Sequence, residues 1–370
     1  MRIAPFRIEQ YYARYEFSAG FMLSNSDAES RSVGELLALE EGALERFSEQ
    51  RLGYTEAPGS PALRRQVARV YETLEDEDTL VCSSAEEGIF LLYHALLGPG
   101  DHAVVETPCY ESALQLARST GAEVSVWQRH AEDDWAHDVS ALEGLLRPNT
   151  RVVYVNTPHN PTGLLMPRGV YEHVLALGRE RGFTVFCDEV YRELEHDPAD
   201  RLPAACDLSD TAVSLGSVSK TYGLPGLRLG WLGSKDRDLL RRVLELKYYT
   251  TICSPAPSEF LTELALRHRE RLAERNLGIV QHNLPLLEAF LQRRADLFSW
   301  VRPDAGPIGF LQLFGDGDAE AFCERVVRGA DVLLLPGSVY DEPGHLRVGY
   351  GRANMPDALQ RLEAFLTDPA

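Results

Sequence analysis

Arg151-Val-Val-Tyr-Val155 runs without a break into Asn156-Thr-Pro-His-Asn-Pro-Thr-Gly163, and the same pattern returns where Phe183-Thr-Val-Phe-Cys187 meets Asp188-Glu-Val-Tyr191. In each case a short apolar, β-branched run ends in a polar cluster. Runs of this length bounded by turn residues read as strands buried on both faces. Working outward, the same reading applies to Thr79-Leu-Val-Cys82, His102-Ala-Val-Val105, Glu123-Val-Ser-Val126, Thr211-Ala-Val-Ser214 and Leu229-Gly-Trp-Leu232. Helical periodicity fills some of the gaps, as at Gly88 to Leu97 and Glu111 to Ser119, and Gly98-Pro99-Gly100-Asp101 is a helix stop. Strands alternating with helices predict a mostly parallel sheet covered on both faces. Right-handed crossovers then gather the loops after the strand C-termini along one edge, where ligands bind.

The texture differs on either side of this region. Phe6 to Leu23 is aromatic and polar without a clean period, and Ser24-Asn25-Ser26-Asp27 is a turn. Ser32, with Glu35 three residues on, is a helix start. Downstream, a long charged helical region, His268 to Arg294, precedes strand-like pieces at Gly309 to Phe314, Val332 to Leu335 and Leu346 to Tyr350, and then a final helix. The expected architecture is therefore α/β: a three-layer α/β/α large domain over residues 38–266, and a smaller α+β domain. The small domain is expected to be discontinuous, residues 1–37 packing with 267–370.

A chain of 370 residues is long enough for such a division. Its 44% hydrophobic and 25% charged residues are ordinary for a globular protein. The net charge of −19 argues against a nucleic-acid or anionic-membrane partner, since both require a basic patch. The sequence has no apolar run of membrane-spanning length, and Met1 to Arg7 lacks the apolar stretch of a secretory signal, so a cytoplasmic location is expected. Cys82, Cys109, Cys187, Cys206, Cys253 and Cys323 show neither CxxC nor metal spacing, so free thiols and no metal site are expected.

The sharpest chemical signal is Ser217-Val-Ser-Lys220 followed by Gly226-Leu-Arg-Leu-Gly230. Taken alone, Lys220 is best read as a solvated loop lysine, Asp188 as a helix cap and Asn160-Pro-Thr-Gly163 as a turn. Three polar motifs in succession, each at the C-terminus of an expected strand, are hard to attribute to chance.

In this order the motifs resemble those of the class I and II aminotransferases, the fold-type I enzymes dependent on pyridoxal phosphate (PLP) and related to aspartate aminotransferase. The resemblance extends from about Gly53 to the C-terminus. It implies that Lys220 holds the cofactor as an aldimine and then moves the proton between substrate Cα and cofactor, which requires a lysine of depressed pKa. Asp188 would face the pyridine nitrogen and keep the ring an electron sink. Asn160 and Tyr191 would hydrogen-bond the phenolic oxygen. Ser217, Arg228 and the backbone of Ser84-Ala85-Glu86 would hold the phosphate. Glu86 departs from the family's small hydroxyl residue and would repel a dianion unless its side chain turns away. Tyr110 matches the aromatic that covers the cofactor ring. Tyr54, after Gly53, matches the tyrosine that reaches the neighbouring subunit's phosphate, which implies a homodimer with shared sites. Arg347 matches the arginine that grips the substrate α-carboxylate, with Asn160 beside it.

Transamination between an amino acid and a 2-oxo acid is the first expectation. Other reactions on the same scaffold begin with the same proton loss: β-lyases, racemases, and cyclases such as capreomycidine synthase, which acts on a hydroxyarginine. The Ser-rich turn followed by a helix ending in Glu-Leu-Leu is similar to that last group. A non-catalytic ligand-binding relative would usually have lost part of the set, whereas Lys220, Asp188, Asn160, Tyr191 and Arg228 are all present. Asp27, near the expected substrate mouth, would favour a basic substrate; the aromatics of the loop Tyr248 to Ser254 would favour an apolar or aromatic one or else pack the dimer interface.

Overall fold

The computed structural model describes residues 3–315 and 318–367. Met1 and Arg2 of the N-terminal stretch, and residues 316–317 and 368–370 of the C-terminal part, lie outside it. After a short strand β1 (Phe21–Met22) come seven strands, β2 (Thr79–Cys82), β3 (His102–Thr107), β4 (Glu123–Gln128), β5 (Thr150–Asn156), β6 (Thr184–Asp188), β7 (Ala212–Ser217) and β8 (Gly230–Gly233). These seven form one sheet in the order β2-β8-β7-β6-β5-β3-β4. All neighbours are parallel except β8, which runs antiparallel to both β2 and β7.

The sheet forms where the apolar runs were found because Val104, Val105, Val152, Val153, Val155, Val185 and Val213 are β-branched and fully buried. On one face Leu80, Val105, Val152 and Leu232 pack with Ile89, Leu92, Ala113 and Val243 from the helices Ala85–Leu96, Glu111–Ser119 and Arg237–Lys247. On the other face Val104, Val153 and Val185 pack with Leu142, Tyr171, Val174 and Leu175. Each such side chain contributes roughly 1.5–3 kcal/mol through burial, which is why strands enclosed by helices lose the polar alternation of an exposed sheet.

Register decides what reaches the ligand edge. Asn156 at the end of β5 lies opposite Asp188 at the end of β6, and Ser217 at the end of β7 lies opposite Gly230 at the start of β8. Because β8 is antiparallel, its entry loop, carrying Arg228, returns to the edge where the parallel strands finish. Gly230 is required there: a Cβ would stand 2.6 Å from the backbone nitrogen of Ala85.

The C-terminal region supplies β9 (Phe298–Trp300), β10 (Ile308–Leu313), β11 (Val332–Leu333), β12 (Leu335–Pro336) and β13 (His345–Gly349). Four of them form an antiparallel sheet, β12-β13-β10-β9, while β11 pairs in parallel with β1. The stretch Val332 to Leu335, expected as one strand, is thus split at Leu334 between two sheets. Phe6 to Leu23, which showed no period, contains the helix Arg7–Tyr15. Its Ile8 and Tyr11, with Leu23, join a core made with Leu284, Leu287, Phe310 and Val348. The Asn160-Pro-Thr-Gly163 turn locks this part to the large sheet: Asp304 and Ala305 both donate to the Gly163 carbonyl at 2.9 Å. Gly163 has φ +72, and a Cβ there would meet the Ile308 carbonyl at 2.4 Å. No helix among the described residues is long and apolar enough to cross a membrane.

Candidate active site

A cavity of about 440 Å³ opens at the C-terminal edge of the large sheet, and Ser84, Ala85, Glu86, Tyr110, Asn160, Asp188, Tyr191, Ser217, Lys220, Arg228 and Arg347 all line it. Of the residues singled out from sequence, Tyr54, 92% exposed, stands away, and so does the loop Tyr248 to Ser254, which does not line the cavity.

The floor is built from strand ends. Asp188 is buried; its Oδ1 accepts from the Val190 amide at 3.2 Å and its Oδ2 from the Tyr154 hydroxyl at 3.0 Å. Burial pushes its pKa up to about 6, against the opposing influence of those two donors and Lys220. Asn156 ties the floor together: its amide donates to the Asp188 carbonyl at 2.8 Å and its Oδ1 accepts from the Asn160 amide nitrogen at 2.7 Å. Lys220 lies on the turn after β7, and its Nζ donates to Ser26 Oγ at 2.8 Å. Burial lowers the lysine's pKa; Asp27 and Asp188 oppose this, while Arg347 and Arg228 add to it.

At one end of the cavity the helix Ala85–Leu96 presents its N-terminus, with Ser84 as cap at φ +132. The unpaired amides of a first turn, with the helix dipole, favour an anion there. Ser217 and Arg228 stand on the same rim; the Arg228 guanidinium bonds only the Pro225 carbonyl, at 3.2 Å, leaving its other donors open. Glu86 also lines the cavity at this end. Burial first, and then Glu9 and Asp188, push its pKa up to about 7, against Ser112 and Arg228. Tyr110 flanks this end, packed on Phe6 with ring centroids 5.1 Å apart, and its hydroxyl donates to Glu9 Oε1 at 3.3 Å.

At the other end Arg347 is 2% exposed, so its charge must be met. Nη1 donates to Asn160 Oδ1 at 3.0 Å and to the Tyr340 hydroxyl, and Nη2 to the Tyr12 hydroxyl at 2.8 Å and the Ser24 carbonyl at 2.9 Å. All these acceptors are neutral, so the cation has no counter-charge in contact. Its Nε and the Tyr191 hydroxyl, both buried, have no hydrogen-bond partner. Asn160 spends its oxygen on Arg347 and Tyr340, which leaves its amide NH2 as a donor. Buried polar groups are ordinarily satisfied, so unpaired ones on a cavity wall mark where a ligand binds.

Asp27 is not free to select a basic substrate, because Arg352 holds both its oxygens at 3.0 and 2.9 Å. The sequence reading missed Glu9, Tyr12, Glu16, Tyr154, Tyr340 and Arg352, five of which, all but Tyr154, come from the N-terminal helix or the C-terminal part. A three- and four-residue spacing of Glu9, Tyr12 and Glu16 was the available signal.

The chain matches the family described as aminotransferase class I and II over residues 27–362. It is 30% identical to the capreomycidine synthase of Streptomyces vinaceus over 346 residues, 93% of this chain and 88% of that one. Among solved structures it is similar to a PLP-dependent aminotransferase from Streptococcus suis, with TM-score 0.94 and 30% identity over 99% of this chain and 98% of that one. It is also similar to the PLP-dependent cyclase OrfR, with TM-score 0.92 and 28% identity over 100% of this chain and 99% of that one.

Proposed function

The chain belongs to the class I and II aminotransferase family, and from that premise we propose that it binds pyridoxal phosphate through Lys220 and moves the α-amino group of an L-amino acid to a 2-oxo acid. One observation carries the reading: a lysine whose pKa is lowered by burial shares one cavity with Asp188 and with Arg347, a buried cation that lacks a counter-charge. The residues fit the cofactor. The helix N-terminus at Ala85, Ser217 and Arg228 suit its phosphate, Tyr110 suits a ring face, and the unpaired Tyr191 hydroxyl and the Asn160 amide suit a phenolate oxygen. When bound, the cofactor supplies an electron sink that lets the Cα–H bond of an amino acid break.

The chain's own groups would do the rest. Arg347 takes the α-carboxylate as the counter-charge it lacks and fixes the amino acid's orientation. Lys220 holds the cofactor covalently, yields to the substrate amine and then carries the proton at Cα; its lowered pKa keeps part of it neutral and basic. Asp188, on the floor, is placed to hold a protonated ring nitrogen, and that positive charge would draw its raised pKa back down. Burial raises the pKa of Glu86, which favours its neutral form beside a phosphate.

A single-turnover assay tests this proposal. One equivalent of oxo acid should appear per active site on adding a suitable amino acid, and none with Lys220→Ala. The likeness to a capreomycidine synthase across 93% of this chain favours a second reading, another PLP reaction such as cyclisation, using the same residues. A rearranged or cyclised product without oxo acid would establish the second reading over the first. We also propose a homodimer. Leu52 and Tyr54, 83% and 92% exposed, lie beside Tyr249 and Ile252, 91% and 52% exposed, with Thr55 Oγ1 donating to the Ser254 carbonyl at 2.9 Å. Pairing across this surface would cover them and bring Tyr54 toward the partner's phosphate; a mass measurement in solution giving a monomer would refute it.

A further inference from the structure

We infer that the substrate carries a cationic side chain, a guanidinium or an ammonium, recognised by Glu9 and Glu16. The inference rests on the reading of this cavity as the site of an amino-acid enzyme held at Arg347. Glu9, Tyr12 and Glu16 stand three and four residues apart on and just after the helix Arg7–Tyr15, which puts them on one face, and all three line the cavity. The Tyr12 hydroxyl is bonded to Arg347 Nη2 at 2.8 Å. A side chain leaving an α-carbon anchored at Arg347 can pass Tyr12, with Glu16 one turn to one side and Glu9, which borders Tyr110, one turn to the other.

Among the described residues neither carboxylate has an ion pair, and both are exposed at the cavity mouth. Glu9 accepts only the Tyr110 hydroxyl, at 3.3 Å. The helix's own Arg14 is turned outward to Glu320 and Glu324. Arg347 is bonded to neutral groups, and Arg352 is paired with Asp27, although its charge also reaches Glu16. Glu16 feels both Glu9 and Asp27 as like charges, after the larger effect of burial. A second, independent observation points to a ligand in this cavity: Arg347, which lines it, is buried with no counter-charge in contact and with its Nε unpaired among the described residues. Like charges gathered on the wall of a ligand cavity repel one another until a cation arrives, so they discriminate by charge as well as by shape.

The test is a titration of the PLP-loaded enzyme with L-arginine, L-lysine and their neutral counterparts L-citrulline and L-norleucine, with L-glutamate added, following the cofactor's absorbance and the KM and kcat of each. A cationic amino acid should exceed its neutral counterpart in kcat/KM by about tenfold or more, chiefly through KM. In the double variant Glu9→Gln, Glu16→Gln that ratio should collapse toward one. Equal use of arginine and citrulline, a preference for glutamate, or a ratio unmoved by the double variant would each overturn the inference while leaving the amino-acid reading intact. Absence of any spectral response to every amino acid would instead remove that reading, and this inference with it.

Discussion

Two carboxylates sit at the ends of strands separated only by β5: Glu106 on β3 and Asp188 on β6. Both are buried, yet they are opposites. Glu106 Oε1 meets Arg129 Nη1 at 3.1 Å and His137 Nε2 at 2.8 Å, and Oε2 accepts the Asn156 amide at 3.0 Å. Burial alone would raise its pKa, but His137, His159 and Arg129 hold it well below the usual carboxylate range. Asp188 has only neutral donors in contact, and burial carries it up to about 6. The difference teaches that burial by itself says nothing about role. A charge whose partners are complete belongs to the framework, here fixing the backbone N–H of Asn156, whose side-chain oxygen in turn holds the Asn160 N–H. A charge left short of partners faces the chemistry.

The comparison can be broken first at its functional side. Lys220→Ala should lower kcat/KM by about 10³-fold or more and abolish covalent cofactor attachment, read by borohydride trapping, with little change in stability. On the framework side, Glu106→Gln leaves Arg129 buried without its charge partner and should cost about 3–5 kcal/mol in urea unfolding. Asp188→Asn should do the reverse in the cofactor-free protein. A carboxyl whose folded pKa is raised loses stability as pH climbs from its ordinary 3.8 through about 6. The variant should therefore match wild type near pH 4 and exceed it by about 3 kcal/mol above pH 7, although activity falls. Glu106, whose pKa is depressed, contributes stability above the ordinary carboxylate pKa and loses it only as pH drops below that range. Unfolding midpoints taken from pH 3 to 8 check both signs, and like pH trends for the two variants would dissolve the contrast. Smallest, and remote from both, Ser32→Ala removes a capping box in which Glu35 and Ser32 bond reciprocally at 3.2 and 2.8 Å; it should cost about 1 kcal/mol and leave substrate preference unchanged.

The large sheet and its ligand edge were legible because strands buried on both faces read as unbroken apolar runs and the motifs sit at their ends. Glu106 was not: the run seemed to stop at Val105, and only Arg129 and His137, distant in sequence, make a buried glutamate tolerable on a strand that continues to Thr107. The helix Arg7–Tyr15 was missed because its N-cap, Phe6, offers no side-chain acceptor and its apolar face is largely tyrosine, which suits strands as well as helices. The division of Val332–Leu335 was out of reach, since it depends on two different pairing partners, β1 and β13. The legible part of the cavity was the one built from strand ends; the part built by Glu9, Tyr12, Glu16 and Arg352 comes from elements placed by tertiary packing.

The helix Arg7–Tyr15 is anchored by Ile8 and Tyr11 in a core that the seven-stranded sheet does not share, while Glu9 and Glu16 turn outward from it. For a lineage this separates two inheritances. Substitutions at the outward positions disturb no core packing and leave the strand ends as they are, so, on the proposed reading, descendants would be free to change diet while keeping the same chemistry. Divergence in appetite should then accumulate on this helix and its C-cap long before it reaches the floor beneath Lys220.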